Sequence, residues 1–270
     1  MKKLLGLLSI IVCVLIGLSS QAETSNASVQ LPKKEKLHLY LLMGQSNMAG
    51  RGELGKEDTT PHARVLVLST NNTWEPAVEP ITRDRKSGLG VGPGFAFGKV
   101  MAVKDPSVTV GLVPCAVGGT PLKRWEKGGD LYERAVKRAK FAMKDGTLKG
   151  VLWHQGESDS GTQTNADSYG MRLAHMIHDL RTDLGFTNLP FVAGKIGEFL
   201  YDRKEDKSPF ARMVNEALGK IPETVPLTAC AESHGLTHKG DEVHFNAVSQ
   251  REFGRRYAVE MLRLQKTPQK

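Results

Sequence analysis

The chain has 270 residues, 40% hydrophobic and 24% charged, enough to build one large α/β domain with a substantial core. Its formal net charge of +8 is spread along the sequence instead of gathered in a block, and aromatics make up only 6%. Nothing resembles a module that binds RNA or DNA, so nucleic acid is excluded as an expected partner.

Lys2 and Lys3 precede an uncharged apolar run from Leu4 to Leu18 and the small-x-small triplet Ser20-Gln21-Ala22. This pattern predicts a secretory signal peptide over residues 1–22, cleaved after Ala22. The run is shorter than the roughly 18 to 20 apolar residues that span a bilayer, and no later segment is longer. Cys13 lies inside the run, which argues against a lipid anchor. The expectation is an exported protein, periplasmic or secreted, free of the membrane after cleavage and folded as one domain over residues 23–270.

Glu23 to Lys36 is polar and reads as a leader into the first strand. Short apolar β-rich runs then alternate with helical patterns, the signature of a parallel sheet wrapped by helices. In chain order the predicted strands are His38 to Met43, Val65 to Leu68, Val108 to Val113, Gly150 to Trp153, Phe191 to Ile196 and Pro226 to Ala229. Helices are predicted near Phe95 to Val103, Leu131 to Lys144, Ala166 to Leu184, Ala211 to Leu218 and Ala247 to Leu264. Stripes such as Leu173, Met176, Ile177, Leu180 and Leu184, and Phe253, Tyr257, Met261 and Leu264, mark core faces. Asn71 to Gly94, rich in Pro, Gly and charge, reads as a long surface loop near the site. Its Gly88–Gly94 stretch lacks the Gly-Lys-Ser/Thr ending of a phosphate loop and reads as a turn into the next helix. Cys115 and Cys230 end two different strands; export would permit a disulfide, but strands that are not neighbours would hold them too far apart, and two buried free thiols are expected.

The chemistry-bearing residues fall at strand ends. Gly44-Gln45-Ser46-Asn47-Met48-Ala49-Gly50 follows the first strand and places a lone serine in a tight polar turn, where a nucleophile would be exposed to the crevice. Near the carboxyl end, Asp241 and His244 stand three apart, a spacing that lets the carboxylate bond one ring nitrogen and leaves the other free as a base. A serine hydroxyl is a weak nucleophile until such a base takes its proton. Gly118-Gly119-Thr120 follows the third strand and Trp153-His154-Gln155-Gly156-Glu157-Ser158-Asp159 the fourth. The N–H groups of Ser46 and Gly119 and the amide of Gln155 are candidate donors to an oxyanion.

The blocks Gly-Gln-Ser-Asn-Met, Gly-Gly-Thr, Trp-His-Gln-Gly-Glu-Ser-Asp and Asp-Glu-Val-His resemble those of the SGNH-type hydrolases. More narrowly, they resemble the sialate O-acetylesterase-like group that includes carbohydrate esterase family 6 acetylxylan esterases, across essentially all of residues 23–270. The resemblance implies a three-layer α/β/α flavodoxin-like fold with a central parallel sheet and deacetylation of sugar esters with no metal or cofactor. Carried over position by position, it implies Ser46 as nucleophile, His244 as general base and acid, and Asp241 as its orienting carboxylate. Gly119 and Gln155 fall on oxyanion-hole positions. Glu157 matches an acidic position and could support or replace Asp241.

Arg51, Arg124 and Trp125 flank the first two blocks and are candidates to line a sugar pocket, Trp125 by a ring face. His175 and His178 lack nearby acidic or Cys ligands, and His234, His238, Asp241 and His244 lack a helical zinc spacing, so no metal is expected. The reading is an exported serine esterase that removes acetyl groups from acetylated xylan, a related polysaccharide, or O-acetylated sialic acid. The alternatives are a non-catalytic carbohydrate-binding protein on the same fold and a general short-chain esterase.

Overall fold

The computed structural model describes residues 29–83, 88–203 and 207–266, so the expected signal peptide and Cys13 lie outside the described residues. Its strands are β1 (Leu37–Gly44), β2 (Val65–Leu68), β3 (Trp74–Pro76), β4 (Thr109–Pro114), β5 (Thr147–His154), β6 (Phe191–Gly194) and β7 (Thr228–Ala231). They form one sheet in the order β3-β2-β4-β1-β5-β6-β7. Every neighbouring pair is parallel except β2 and β3.

The helices are α1 (Ser46–Ala49), α2 (Pro93–Lys104), α3 (Asp130–Ala142), α4 (Gln163–Leu184), α5 (Ala211–Thr224) and α6 (Ala247–Lys266). Strands buried on both faces read as continuous apolar runs, and β1 is buried at seven of its eight residues. Alternation along β1 divides its side chains between two cores. Leu37, Leu39, Leu41 and Met43 pack with residues of α3, α4 and α5. Tyr40 and Leu42 point the other way, toward residues of α2 and α6. The result is a three-layer α/β/α domain. Among the described residues, no helix is long and apolar enough to cross a membrane.

Several boundaries differ from expectation for local reasons. The sixth strand stops at Gly194 because Asn215 of α5 bonds the main chain of Ile196, accepting its N–H at 2.8 Å and donating to its carbonyl at 3.0 Å. The seventh begins at Thr228, two residues late, because Leu227 has a φ of 54° and turns the chain. Helix α5 runs past Leu218 to Thr224 with Pro222 inside it. The Asn71–Gly94 segment is not wholly a surface loop: Trp74–Pro76 pairs antiparallel with β2 at the sheet edge, and Glu79 and Ile81 are buried. Glu79 accepts the N–H groups of Ile81 and Gly92 at 2.9 and 3.2 Å, which ties this segment to the start of α2. Cys115 and Cys230 are not joined in a disulfide, Cys115 being buried and Cys230 half-buried. Four strand spacings, about 19 Å, separate β4 from β7, far beyond disulfide reach.

Candidate active site

Strand β1 lies where the sheet changes direction, with β4 on one side and β5 on the other. At such a switch point the loops leaving neighbouring strands diverge and open a crevice. Gly44 ends β1 with a φ of 125°, and a Cβ there would lie 2.0 Å from the His154 carbonyl oxygen, so only glycine fits. Gln45 then donates its N–H to that carbonyl at 2.8 Å, and Ser46 opens the single turn α1.

Ser46 Oγ lies 3.0 Å from His244 Nε2, and His244 Nδ1 lies 2.7 Å from Asp241 Oδ2. The other carboxylate oxygen of Asp241 accepts the N–H groups of Val243 and His244 at 3.0 and 2.8 Å. Burial alone would raise the Asp241 carboxyl, but those N–H groups and the His244 ring hold it down to about 2. An ionised Asp241 only accepts, so Nδ1 carries the proton and Nε2 offers its lone pair to the serine hydroxyl. His238 shapes the same loop: its Nδ1 accepts the N–H groups of Gly240 and Glu242 at 2.9 and 3.2 Å.

The Gly118–Thr120 turn follows β4. Gly119 has a φ of 69°, where a side chain would be strained although nothing blocks it. Among the described residues, the N–H groups of Ser46 and Gly119 have no acceptor. Gln155 differs from expectation. It is fully buried, and its NH2 group already faces Asp159 Oδ2 at 2.6 Å, the Thr120 carbonyl at 3.1 Å and Gln45 Oε1 at 3.3 Å. Two hydrogens with three acceptors leave none for an oxyanion, so Gln155 braces the loops after β1, β4 and β5 together.

Glu157 is likewise placed away from the expected partnership. Its Oε1 accepts from Asn47 Nδ2 at 2.6 Å and lies 3.4 Å from His154 Nε2, while Asp241 occupies the ring nitrogen of His244. Trp125 offers no ring face: it is fully buried, edge-on to Trp153, with its N–H on Thr120 Oγ1. Arg124 pairs with Asp130 on the surface through bonds of 2.9 and 2.5 Å, and Arg51 donates to the Gly50 carbonyl at 2.7 Å. His175 and His178 are exposed on α4. Among the described residues, no cluster of three or more His, Cys, Asp or Glu is arranged to hold a metal.

Asn47, His154 and His238 shape the site, yet the sequence assigned Asn47 and His154 no role of their own and offered His238 only as a rejected zinc ligand. Asn47 stood next to the serine and could have been weighed on that ground. The contact of His154 with Tyr257 is set by tertiary packing and leaves no local signal, whereas His238 bonds N–H groups only two and four residues further on.

The family profile described as carbohydrate esterase, sialic acid-specific acetylesterase, matches residues 36–263. A probable carbohydrate esterase of Arabidopsis thaliana, At4g34215, is 37% identical over 237 residues, covering 80% of this chain and 86% of that protein. The X-ray structure of the Arabidopsis thaliana protein AT4G34215 has a TM-score of 0.76 at 34% identity, over 84% of this chain and 98% of that one. NanS shares the fold, with a TM-score of 0.73 at 18% identity over 88% of this chain and 100% of that one.

Proposed function

Because the chain belongs to the carbohydrate esterase family of sialic acid-specific acetylesterases, we propose that it is an exported sugar O-acetylesterase working through a serine acyl-enzyme. The observation that carries the reading is the unbroken chain of hydrogen bonds from Asp241 through His244 to Ser46. Ser46 Oγ attacks the acetyl carbonyl carbon while His244 Nε2 takes the hydroxyl proton. The imidazolium that forms is stabilised by Asp241, which stays ionised. Negative charge develops on the former carbonyl oxygen. The N–H groups of Ser46 and Gly119 are the donors proposed to receive it, and fixed donors of this kind are worth several kcal/mol.

Collapse of the tetrahedral intermediate breaks the bond to the sugar oxygen, and His244 returns its proton to that leaving alkoxide. The acetyl group is left on Ser46. Water then attacks with His244 again as base, acetate leaves, and the serine regains its proton. A hydroxyl beside an aligned base is of no use for binding alone, which favours an enzyme over a binding protein on the same fold. The substrate is an acetylated polysaccharide such as xylan, or O-acetylated sialic acid. Export rests on Lys2, Lys3 and the apolar run that follows them.

The test is acetate release by residues 23–270 from acetylated xylan and from O-acetylated sialic acid, beside Ser46→Ala and with a chelator present. Release is expected to resist the chelator and to fall by about 10⁴-fold or more in Ser46→Ala. Release that survives in the variant would remove Ser46 from the mechanism. No release from either substrate by the intact protein would remove the sugar ester.

A further inference from the structure

We propose that Asn47, oriented by Glu157, is a positioning residue that holds the His244 loop against the nucleophile turn. The inference rests on the serine mechanism above and gives Glu157 a role through Asn47 instead of through the histidine. Asn47 is 1% exposed, and its side chain reaches both neighbours of His244. Nδ2 donates to the Val243 carbonyl at 3.1 Å, and Oδ1 accepts the Phe245 N–H at 3.1 Å. The second hydrogen of Nδ2 goes to Glu157 Oε1 at 2.6 Å. The second lone pair of Oδ1 receives Gln250 Nε2 of α6 at 3.3 Å.

All four hydrogen-bonding positions of the amide are thus used. The orientation is also fixed by chemistry: a carbonyl can only accept and an N–H can only donate, so a flipped amide would oppose both. Ser46 and His244 come from segments almost two hundred residues apart, and the loop bearing His244 contains two left-handed positions, Gly240 and Glu242. One side chain, adjacent to the nucleophile, bonds the main chain on either side of the base.

Glu157 sits in turn against the core. Tyr257 donates its single hydroxyl proton to the Trp153 carbonyl at 2.8 Å, so His154 Nδ1, 3.2 Å from that hydroxyl oxygen, carries a proton and donates. The opposite edge of the same ring faces Glu157 Oε1. The Glu157 side chain is 6% exposed, and its Oε2 has no hydrogen-bond partner among the described residues. Burying a carboxylate with one oxygen unpaired disfavours folding compared with an apolar replacement. A group kept on those terms is better explained by what its other oxygen orients.

Asn47→Asp tests this with little change of shape. The new carboxyl still accepts from Phe245, but sets an oxygen against Glu157 Oε1 and the Val243 carbonyl. At neutral pH kcat is expected to fall by about 100-fold, the loss associated with roughly 1 Å of misplacement, with KM within about threefold of the parent. The deficit should shrink as pH is lowered and the new carboxyl regains a proton to donate. The double variant Asn47→Asp/Glu157→Gln lets an amide donate to the new carboxylate and should recover about tenfold of the loss, a coupling a merely structural pair of defects would not show. Glu157→Gln alone should lower kcat by about tenfold with KM little changed.

Unchanged kcat in Asn47→Asp and Glu157→Gln, or a double variant no better than Asn47→Asp, would overturn the clasp. Intact protein that releases no acetate would instead defeat the proposed function, so the two failures are distinguishable.

Discussion

The Asp241 carboxyl sits at about 2, below its ordinary value of 3.8, because its oxygens collect the His244 ring and two loop N–H groups. A depressed carboxyl stabilises the fold above its unfolded value and loses that contribution as pH falls through its folded one. The loop bearing His244 should therefore weaken between about pH 4 and pH 2, and the acid dependence of unfolding should be smaller in Asp241→Asn than in the parent. The same variant is expected to lose about 10³ to 10⁴-fold in kcat, since an amide no longer enforces the proton on Nδ1. Loss of comparable size in Glu157→Gln with little effect in Asp241→Asn would exchange the two roles. Ser46, Asp241 and His244 were legible because chemistry demanded those residue types at strand ends and short spacing. Gln155 was not, because only the packed loops show that its amide hydrogens are already engaged by Asp159, Thr120 and Gln45.

Strand ends set where these side chains emerge, and Gly44 is the element boundary on which the Ser46 turn depends. Gly44→Ala forces a Cβ into the His154 carbonyl from a left-handed backbone. Denaturant unfolding should show a loss of about 2 kcal/mol or more; a loss below about 0.5 kcal/mol would mean that β1 and β5 separate easily there. The continuous apolar strands and amphipathic helices were readable because burial on both faces and 3.6-residue stripes leave a direct mark. β3 was not, since three residues ending in Pro76 carry no period, and proline is tolerated on a sheet edge. The end of β6 depends on Asn215, which lies nineteen residues further along and gives the strand itself no signal.

At the scale of the whole molecule, the sheet order places β4 and β5 on opposite sides of β1, so their loops open over the serine. The histidine arrives from beyond the far strand β7. It crosses to the centre because α6 packs on the same face as α2 and anchors through Gln250, whose amide donates to the Asn47 carbonyl at 3.1 Å. Ser46 and His244, from the first and last thirds of the chain, meet only through this topology, which is why spacing alone could nominate them and not assemble them. The most direct measurement is peptide mapping by mass spectrometry of protein quenched during turnover of an acetyl ester. An acetyl ester is expected on the peptide carrying Ser46, absent in Ser46→Ala and accumulating when His244→Ala slows its hydrolysis more than its formation. Turnover with no acetylated peptide in either the parent or that variant, or an acetyl group on another residue, would contradict it.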